Sequence, residues 1–129
     1  MLVLAGLALT GCADEPARPT PSTAPAREAG VVVRSLARAA AAEDYVTICD
    51  DLVASAVRRR AGGRDCPRLL RRSAASVRRP RLRLESTAVV TPDLVRVKVR
   101  TRARGQRESR DTIELRRERG RLRITSLGG

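Results

Sequence analysis

Residues 95–100 read Val-Arg-Val-Lys-Val-Arg, and apolar and basic residues alternate strictly through this stretch. In an extended chain, successive side chains point to opposite faces, so the three valines would share one face and the three basic residues the other. A strand of this kind buries its apolar face against a core and leaves its charged face in water. The stretch therefore predicts a half-buried β-strand.

Three further segments of the C-terminal half have the same period of two. Their apolar pairs are Leu82 and Leu84, Ile113 and Leu115, and Leu122 and Ile124. Thr91-Pro92-Asp93 predicts a turn after the first strand, and Glu118-Arg119-Gly120 predicts a tight turn before the last. The C-terminal half therefore predicts an antiparallel meander of about four strands.

The residues before the first strand have helical spacing instead. An Ala-rich run predicts a first helix over residues 31–42. Apolar residues at i, i+3 and i+4 predict a second helix, capped by Asp44 and running to Val57. Pro67 favours the start of a third helix that runs to about Val77. Three N-terminal helices followed by a meander predict an α+β domain of two layers.

The N-terminal residues differ in composition from this domain. Residues 1–10 are uncharged and mostly apolar, which is typical of a signal-peptide core and too short to span a bilayer. Residues 13–30 contain four prolines among Ala, Thr and Ser, and this composition predicts an extended, semi-stiff tether.

The boundary between these two segments is Leu9-Thr10-Gly11-Cys12, which resembles the lipobox of bacterial lipoproteins. The resemblance implies that Cys12 forms a thioether to diacylglycerol and becomes the new N-terminus after cleavage. Small Thr10 and Gly11 would let the processing enzymes reach the backbone, and Leu9 would end the apolar stretch. Two acyl chains on one residue suffice for stable anchoring. We therefore expect a signal peptide (1–11), a lipidated Cys with a Pro-rich tether (12–30) and a domain (31–129), anchored at the extracytoplasmic face of the cell membrane.

The sequence leaves other interpretations of its N-terminal residues open. No Lys or Arg precedes Leu2, where a signal peptide carries a positive n-region, which leaves either an upstream start codon or a weak export signal. An ordinary signal peptide and a chance apolar start are the competing interpretations.

Cys49 and Cys66 remain as an even pair once Cys12 is assigned to the lipid. In an exported, oxidising setting such a pair indicates a disulfide. The bridge would close a loop of about 16 residues and contribute on the order of 3 kcal/mol to stability. The alternative is two buried free thiols in a protein that stays in the cytoplasm.

The chain is strongly basic, with a formal net charge of +13 and Lys98 as its one lysine. If the strands pair in sequence order, one continuous basic patch forms from Arg81, Arg83, Arg96, Lys98, Arg100, Arg121 and Arg123. Such a patch favours anionic lipid head groups, acidic cell-wall polymers or nucleic acid. The competing interpretation is that arginine, frequent in GC-rich genomes, merely fills the solvated faces.

Missing residue types exclude several functions. The sequence has no His, which removes the usual Ser–His–Asp and Cys–His nucleophile systems and imidazole zinc sites. Tyr45 is its only aromatic residue, so bases have no stacking platform, and this argues against nucleic acid as a partner. We expect neither a cofactor nor a metal.

The domain from Val31 to Leu127 resembles the nuclear transport factor 2-like domains of small actinobacterial lipoproteins. The resemblance rests on Ala42-Glu43-Asp44-Tyr45 after the first helix, on the spacing of Cys49 and Cys66, and on closing strands over residues 112–118 and 120–124. It implies a curved sheet wrapped by helices, with a cone-shaped interior that some relatives use as a pocket.

Three functions fit these observations. We expect a non-enzymatic binding or accessory domain with a basic surface for anionic partners, although the sequence names no protein partner. The first alternative is a pocket enzyme of the SnoaL or ketosteroid-isomerase type, with Asp44, Tyr45, Asp50 and Asp51 as candidate residues. The second is a binder of nucleic acid or cell-wall polymer without sequence preference.

Overall fold

The computed structural model describes residues 23–127, in which a helical region precedes a β-sheet. The helical segments are α1 (Ala24–Ala41), α2 (Tyr45–Thr47), a π-helical turn (Ile48–Leu52), α3 (Ser55–Arg60), a 3₁₀ turn (Gly63–Asp65) and α4 (Cys66–Ser73). The strands are β1 (Arg81–Thr91), β2 (Leu94–Arg102), β3 (Ser109–Glu118) and β4 (Arg121–Leu127). No helix within the described range is long and apolar enough to cross a membrane.

Helix α1 begins at Ala24. The sequence predicted a later start, at Val31. The hydroxyl of Thr23 accepts a hydrogen bond from the N–H of Ala26 and caps the helix. Pro25 lies in the first turn, where the missing N–H of proline leaves no helical hydrogen bond unmade. Residues 24–30, predicted as part of the tether, therefore belong to the helix.

The predicted second helix is interrupted, and the prediction of three helices is wrong. After the π-helical turn the chain becomes extended, and Val53 forms a parallel bridge with Ile124 of β4. The N–H of Ala54 donates to the carbonyl of Ile124 at 2.8 Å. This short extended segment covers the edge of β4, whose backbone groups would otherwise be unpaired. The last helix, α4, ends at Ser73 and not near Val77.

All four predicted strands are confirmed, and they pair antiparallel in the order β1-β2-β3-β4. Val97 of β2 lies opposite Ile113 of β3, which places the apolar residues of neighbouring strands on one face. A bulge between Leu84 and Ser86 in β1 shifts the register, yet the alternation of faces resumes after it.

The core lies between the apolar face of the sheet and α1. Sheet residues at or below 2% exposure are Val95, Val97, Val99, Ile113, Leu115, Leu122 and Ile124. Helix α1 packs its face of Ala29, Val33, Leu36 and Ala39 against the same cluster. The opposite face of the sheet is left without a covering layer of described residues, and that face presents the functional candidates.

Candidate anion-binding site

The face of the sheet opposite α1, here called the outer face, presents the predicted basic residues. On β2, Arg96, Lys98 and Arg100 alternate with the buried valines and therefore point outward. Arg83 lies opposite Arg100, and Arg123 pairs with Arg116 of β3, so β1 and β4 contribute to the same face. The pairing of strands places all seven predicted residues on the outer face: Arg81, Arg83, Arg96, Lys98, Arg100, Arg121 and Arg123.

Acidic residues divide this face into separate regions. Glu114 lies opposite Arg96 and forms ion pairs with Arg96 at 3.5 Å and with Arg116 at 3.1 Å. The hydrogen bond from Arg116 lowers the pKa of the Glu114 carboxyl more than desolvation raises it, and Arg96 lowers it further. At the edge next to β4, Arg123 donates to the backbone carbonyl of Asp50 at 3.2 Å. The predicted single patch is therefore interrupted near the middle of the sheet.

The densest group of basic side chains lies where β1 begins and β2 ends. A cleft of about 240 Å³ is lined there by Arg81, Arg83, Arg100, Arg102 and Glu108, and we call it the arginine cleft. The strand register sets Arg81 directly opposite Arg102 and Arg83 directly opposite Arg100. Like charges directly opposite one another destabilise a sheet, so these two pairs act against the strand pairing.

Carboxylates compensate only part of this charge. Arg100 donates to Glu85 at 2.7 Å and forms an ion pair with Glu108 at 3.2 Å, while Arg102 lies 3.5 Å from Glu108. Arg81 and Arg83 form no ion pair with an acidic residue of the described range 23–127. Four arginines and one glutamate line the cleft, and Glu85 pairs with Arg100 beside it, so Arg81 and Arg83 are the cleft arginines left without a carboxylate partner among residues 23–127.

Further arginines extend the cleft toward the end of the sheet. A neighbouring depression is lined by Arg79, Arg81, Arg102 and Arg104, two of which also line the arginine cleft. The N–H of Arg104 donates to the carbonyl of Arg78 at 2.9 Å, which ties the β2–β3 turn to the segment before β1. The positive potential therefore continues beyond the cleft.

Two residues of the cleft were not predicted from the sequence. Arg102 continues the alternation of β2 past Arg100, so the pattern contained a signal for it. Glu108 lies in the loop between β2 and β3, where no period predicts which way a side chain points. Only the fold brings it next to Arg100 and Arg102.

Three of the four candidate residues of the enzyme alternative are engaged in other contacts. Asp44 caps α2 by accepting from the hydroxyl and N–H of Thr47, and these bonds lower its pKa. Tyr45 is buried, with the Arg71 guanidinium 5.8 Å from its ring centroid. Asp50 pairs with Arg58 at 3.0 Å, and Asp51 is exposed. These four residues are not brought together at the arginine cleft.

The predicted lipobox, residues 9–12, lies outside the described residues. Cys49 and Cys66 do lie within them, and their sulfur atoms are at disulfide distance, 2.01 Å apart. Both cysteines are buried, at 1% and 2% exposure. Within the described part of the chain, no group of three or more Cys, Asp or Glu is placed to hold a metal ion.

Comparison with known proteins gives one structural likeness. No family model matches the chain, and no curated protein matches it. The fold is similar to the solution structure of a SEC-C motif containing protein from Rhodopseudomonas palustris, with a TM-score of 0.55 and 20% sequence identity. The similarity covers 76% of this chain and 75% of that one. At this identity the likeness concerns the fold alone.

This likeness corrects the predicted fold family. The expected nuclear transport factor 2-like domain, with three helices on a curved sheet, is contradicted by the resemblance to a SEC-C motif protein. The helical region also differs, because one long helix is followed by short segments and by the extended residues that pair with β4. The closing strands on which the expectation rested are a general feature of antiparallel meanders and do not distinguish the family.

Proposed function

We propose that the protein is an exported lipoprotein, anchored through Cys12, whose folded domain binds anionic phospholipid surfaces without catalysing a reaction. The observation that carries the proposal is the outer face, where Arg81 and Arg83 extend into solvent without an acidic partner among residues 23–127. Basic residues near an anionic membrane surface contribute roughly 1 kcal/mol each to binding.

The lipid anchor supports this proposal because it limits how far the domain can move from the membrane. The backbone from Cys12 to the start of α1 spans at most about 40 Å, since an extended chain advances roughly 3.3–3.6 Å per residue. Tethering at this range raises the effective concentration of the membrane surface around the domain. A modest electrostatic attraction then suffices to bring the outer face to the surface.

The roles of the acidic residues support a non-enzymatic function. Asp44 is engaged as a helix cap and Asp50 in an ion pair with Arg58. General acid–base chemistry needs a carboxyl with a proton-transfer partner at the substrate. Neither carboxyl lines the arginine cleft.

Vesicle co-sedimentation tests the proposal. The mature chain without its lipidated residue, from Ala13 onward, should sediment with vesicles containing phosphatidylglycerol and not with pure phosphatidylcholine. Binding should fall steeply between low and physiological salt, because the Debye length shortens to about 8 Å. Equal sedimentation with both kinds of vesicle would contradict the proposal, as would binding that salt leaves unchanged.

A further inference from the structure

We infer that the arginine cleft is a specific binding site for a phosphate monoester group. The inference rests on the proposed function in taking the outer face as the surface that meets anions, and it adds a defined ligand class and a defined position. The five residues that line the cleft, Arg81, Arg83, Arg100, Arg102 and Glu108, carry the argument.

The strand register makes the cleft favourable for an anion. Two arginine pairs, Arg81 with Arg102 and Arg83 with Arg100, face each other across β1 and β2. These two pairs follow one another on the outer face and line one concave site, and like charges directly opposite one another weaken a sheet. An anion between the four guanidinium groups converts this repulsion into attraction.

The charge and shape of the cleft favour phosphate. Near its second pKa of about 6, a phosphate monoester exists both as a dianion and as a singly protonated anion, and either form is attracted to Arg81 and Arg83, which have no carboxylate partner among residues 23–127. The guanidinium fork matches phosphate oxygens through two parallel hydrogen bonds. The cleft of about 240 Å³ accommodates one phosphate group with several waters, since a water occupies roughly 30 Å³.

Glu108 gives the cleft a means of selecting phosphate over sulfate. Its ionised carboxylate accepts hydrogen bonds and donates none. A singly protonated phosphate ester has a P–OH group to donate to it, whereas a sulfate ion has no proton at the same pH. Because Glu108 already lies beside Arg100 and Arg102, an anion held by these arginines is within its reach. Sulfate would instead meet the carboxylate as an uncompensated like charge.

Isothermal titration calorimetry with methyl phosphate tests this site. The full chain carrying Cys12→Ala, in a non-ionic detergent at pH 6, should bind methyl phosphate more tightly than sulfate. The double variant Arg81→Gln/Arg83→Gln should weaken methyl phosphate binding by about tenfold, because it removes charged donors from the ligand. The control Lys98→Gln/Arg121→Gln removes the same charge from the outer face outside the cleft and should change the affinity by less than about twofold.

Glu108→Gln supplies a second, independent readout. This substitution should strengthen sulfate binding and narrow the preference for methyl phosphate, because the like charge is removed. Equal affinities for methyl phosphate and sulfate in the unaltered cleft, or equal losses in the two double variants, would overturn the inference.

A short-chain phosphatidic acid distinguishes the two sources of the ligand. If dioctanoyl phosphatidic acid binds more tightly than methyl phosphate, a lipid supplies the phosphate group. Equal affinities indicate that a free phosphate ester supplies it. Either result supports the site. Failure of the proposed function is a separate outcome. In that case anionic vesicles would not bind, while methyl phosphate would still distinguish Arg81→Gln/Arg83→Gln from its control.

Discussion

The guanidinium of Arg117 on β3 binds the carboxylate of Glu28 on α1 through three hydrogen bonds of 3.1 to 3.2 Å. The same guanidinium donates to Asp93 at 3.0 Å, to the carbonyl of Pro92 at 2.9 Å and to the carbonyl of Gly120 at 3.2 Å. Glu28 also accepts from the N–H of Leu122 at 3.0 Å. One side chain thus joins the helix to two turns of the sheet, at the end of the core.

We expect Glu28→Gln to destabilise the protein. Glutamine keeps the size of the side chain but loses the charge that Arg117 and the Leu122 N–H bind, and the part-exposed position limits the loss to about 1 kcal/mol. Urea unfolding at pH 7 measures the change. Glu43→Gln is the matched control, since Glu43 is exposed and has no ion pair with another described residue, and we expect it to shift stability by less than about 0.5 kcal/mol. Equal stability of the two variants would show that the Glu28–Arg117 contact contributes nothing.

Stability should also fall at acidic pH. Desolvation raises the pKa of the Glu28 carboxyl, but the hydrogen bonds from Arg117 and Leu122, with the charge of Arg117, outweigh it and lower the pKa below 4.5. The hydroxyl and N–H of Ser55 lower the pKa of Glu118 in the same way. A carboxyl with a lowered pKa in the folded state stabilises the fold at neutral pH, and this contribution disappears as pH falls through the folded pKa.

Urea midpoints between pH 6 and pH 3 measure this dependence. We expect the midpoint to fall as the pH drops below about 4.5, and to fall less steeply in Glu28→Gln, which has lost one of the titrating groups. Parallel pH profiles for the two proteins would contradict the role assigned to Glu28.

The strands were predictable because their signal is local. Val95, Val97 and Val99 alternate with basic residues in the sequence itself, and the same alternation marks β3 and β4. Alternation also assigns the basic residues to the outer face once the strands pair in order. The arginine cleft depends on more, because the register of β1 on β2 decides which arginines face each other.

The helical region was less predictable because distant contacts shape it. Val53 fits the apolar spacing of a helix, yet it forms a bridge with Ile124, far along the chain, and the N–H of Ala54 donates to the same residue. Pro25 was assigned to a tether by composition, whereas its position after the cap Thr23 makes it a helix-starting residue. Neither the composition of a segment nor its apolar periodicity predicts which distant strand it pairs with or which residue caps a helix.

The Cys49–Cys66 pair should stabilise the domain through a covalent link between the π-helical turn and the start of α4. Their separation of 17 residues gives a loop for which a disulfide contributes roughly 3 kcal/mol in the chain-entropy model. Reduction, or the double variant Cys49→Ala/Cys66→Ala, should lower the urea midpoint accordingly. Mass spectrometry of the unreduced protein should show one linked peptide. Free alkylation of both thiols without reductant would contradict the bridge.

Lipidation at Cys12 predicts a specific chemical product. The protein recovered from its native membrane should begin at Cys12, and its N-terminal peptide should carry the mass of a thioether-linked diacylglycerol. Cys12→Ala removes the sulfur atom to which the lipid would be attached, so this variant should lack the lipid. It should also leave the membrane fraction after a salt wash, because two acyl chains hold a protein far more firmly than charge alone. Cys49→Ala/Cys66→Ala is the control, since it removes two sulfurs and leaves the lipobox residues unchanged. Retention of Cys12→Ala in the washed membrane, or an unmodified Cys12 in the native protein, would rule out the anchor.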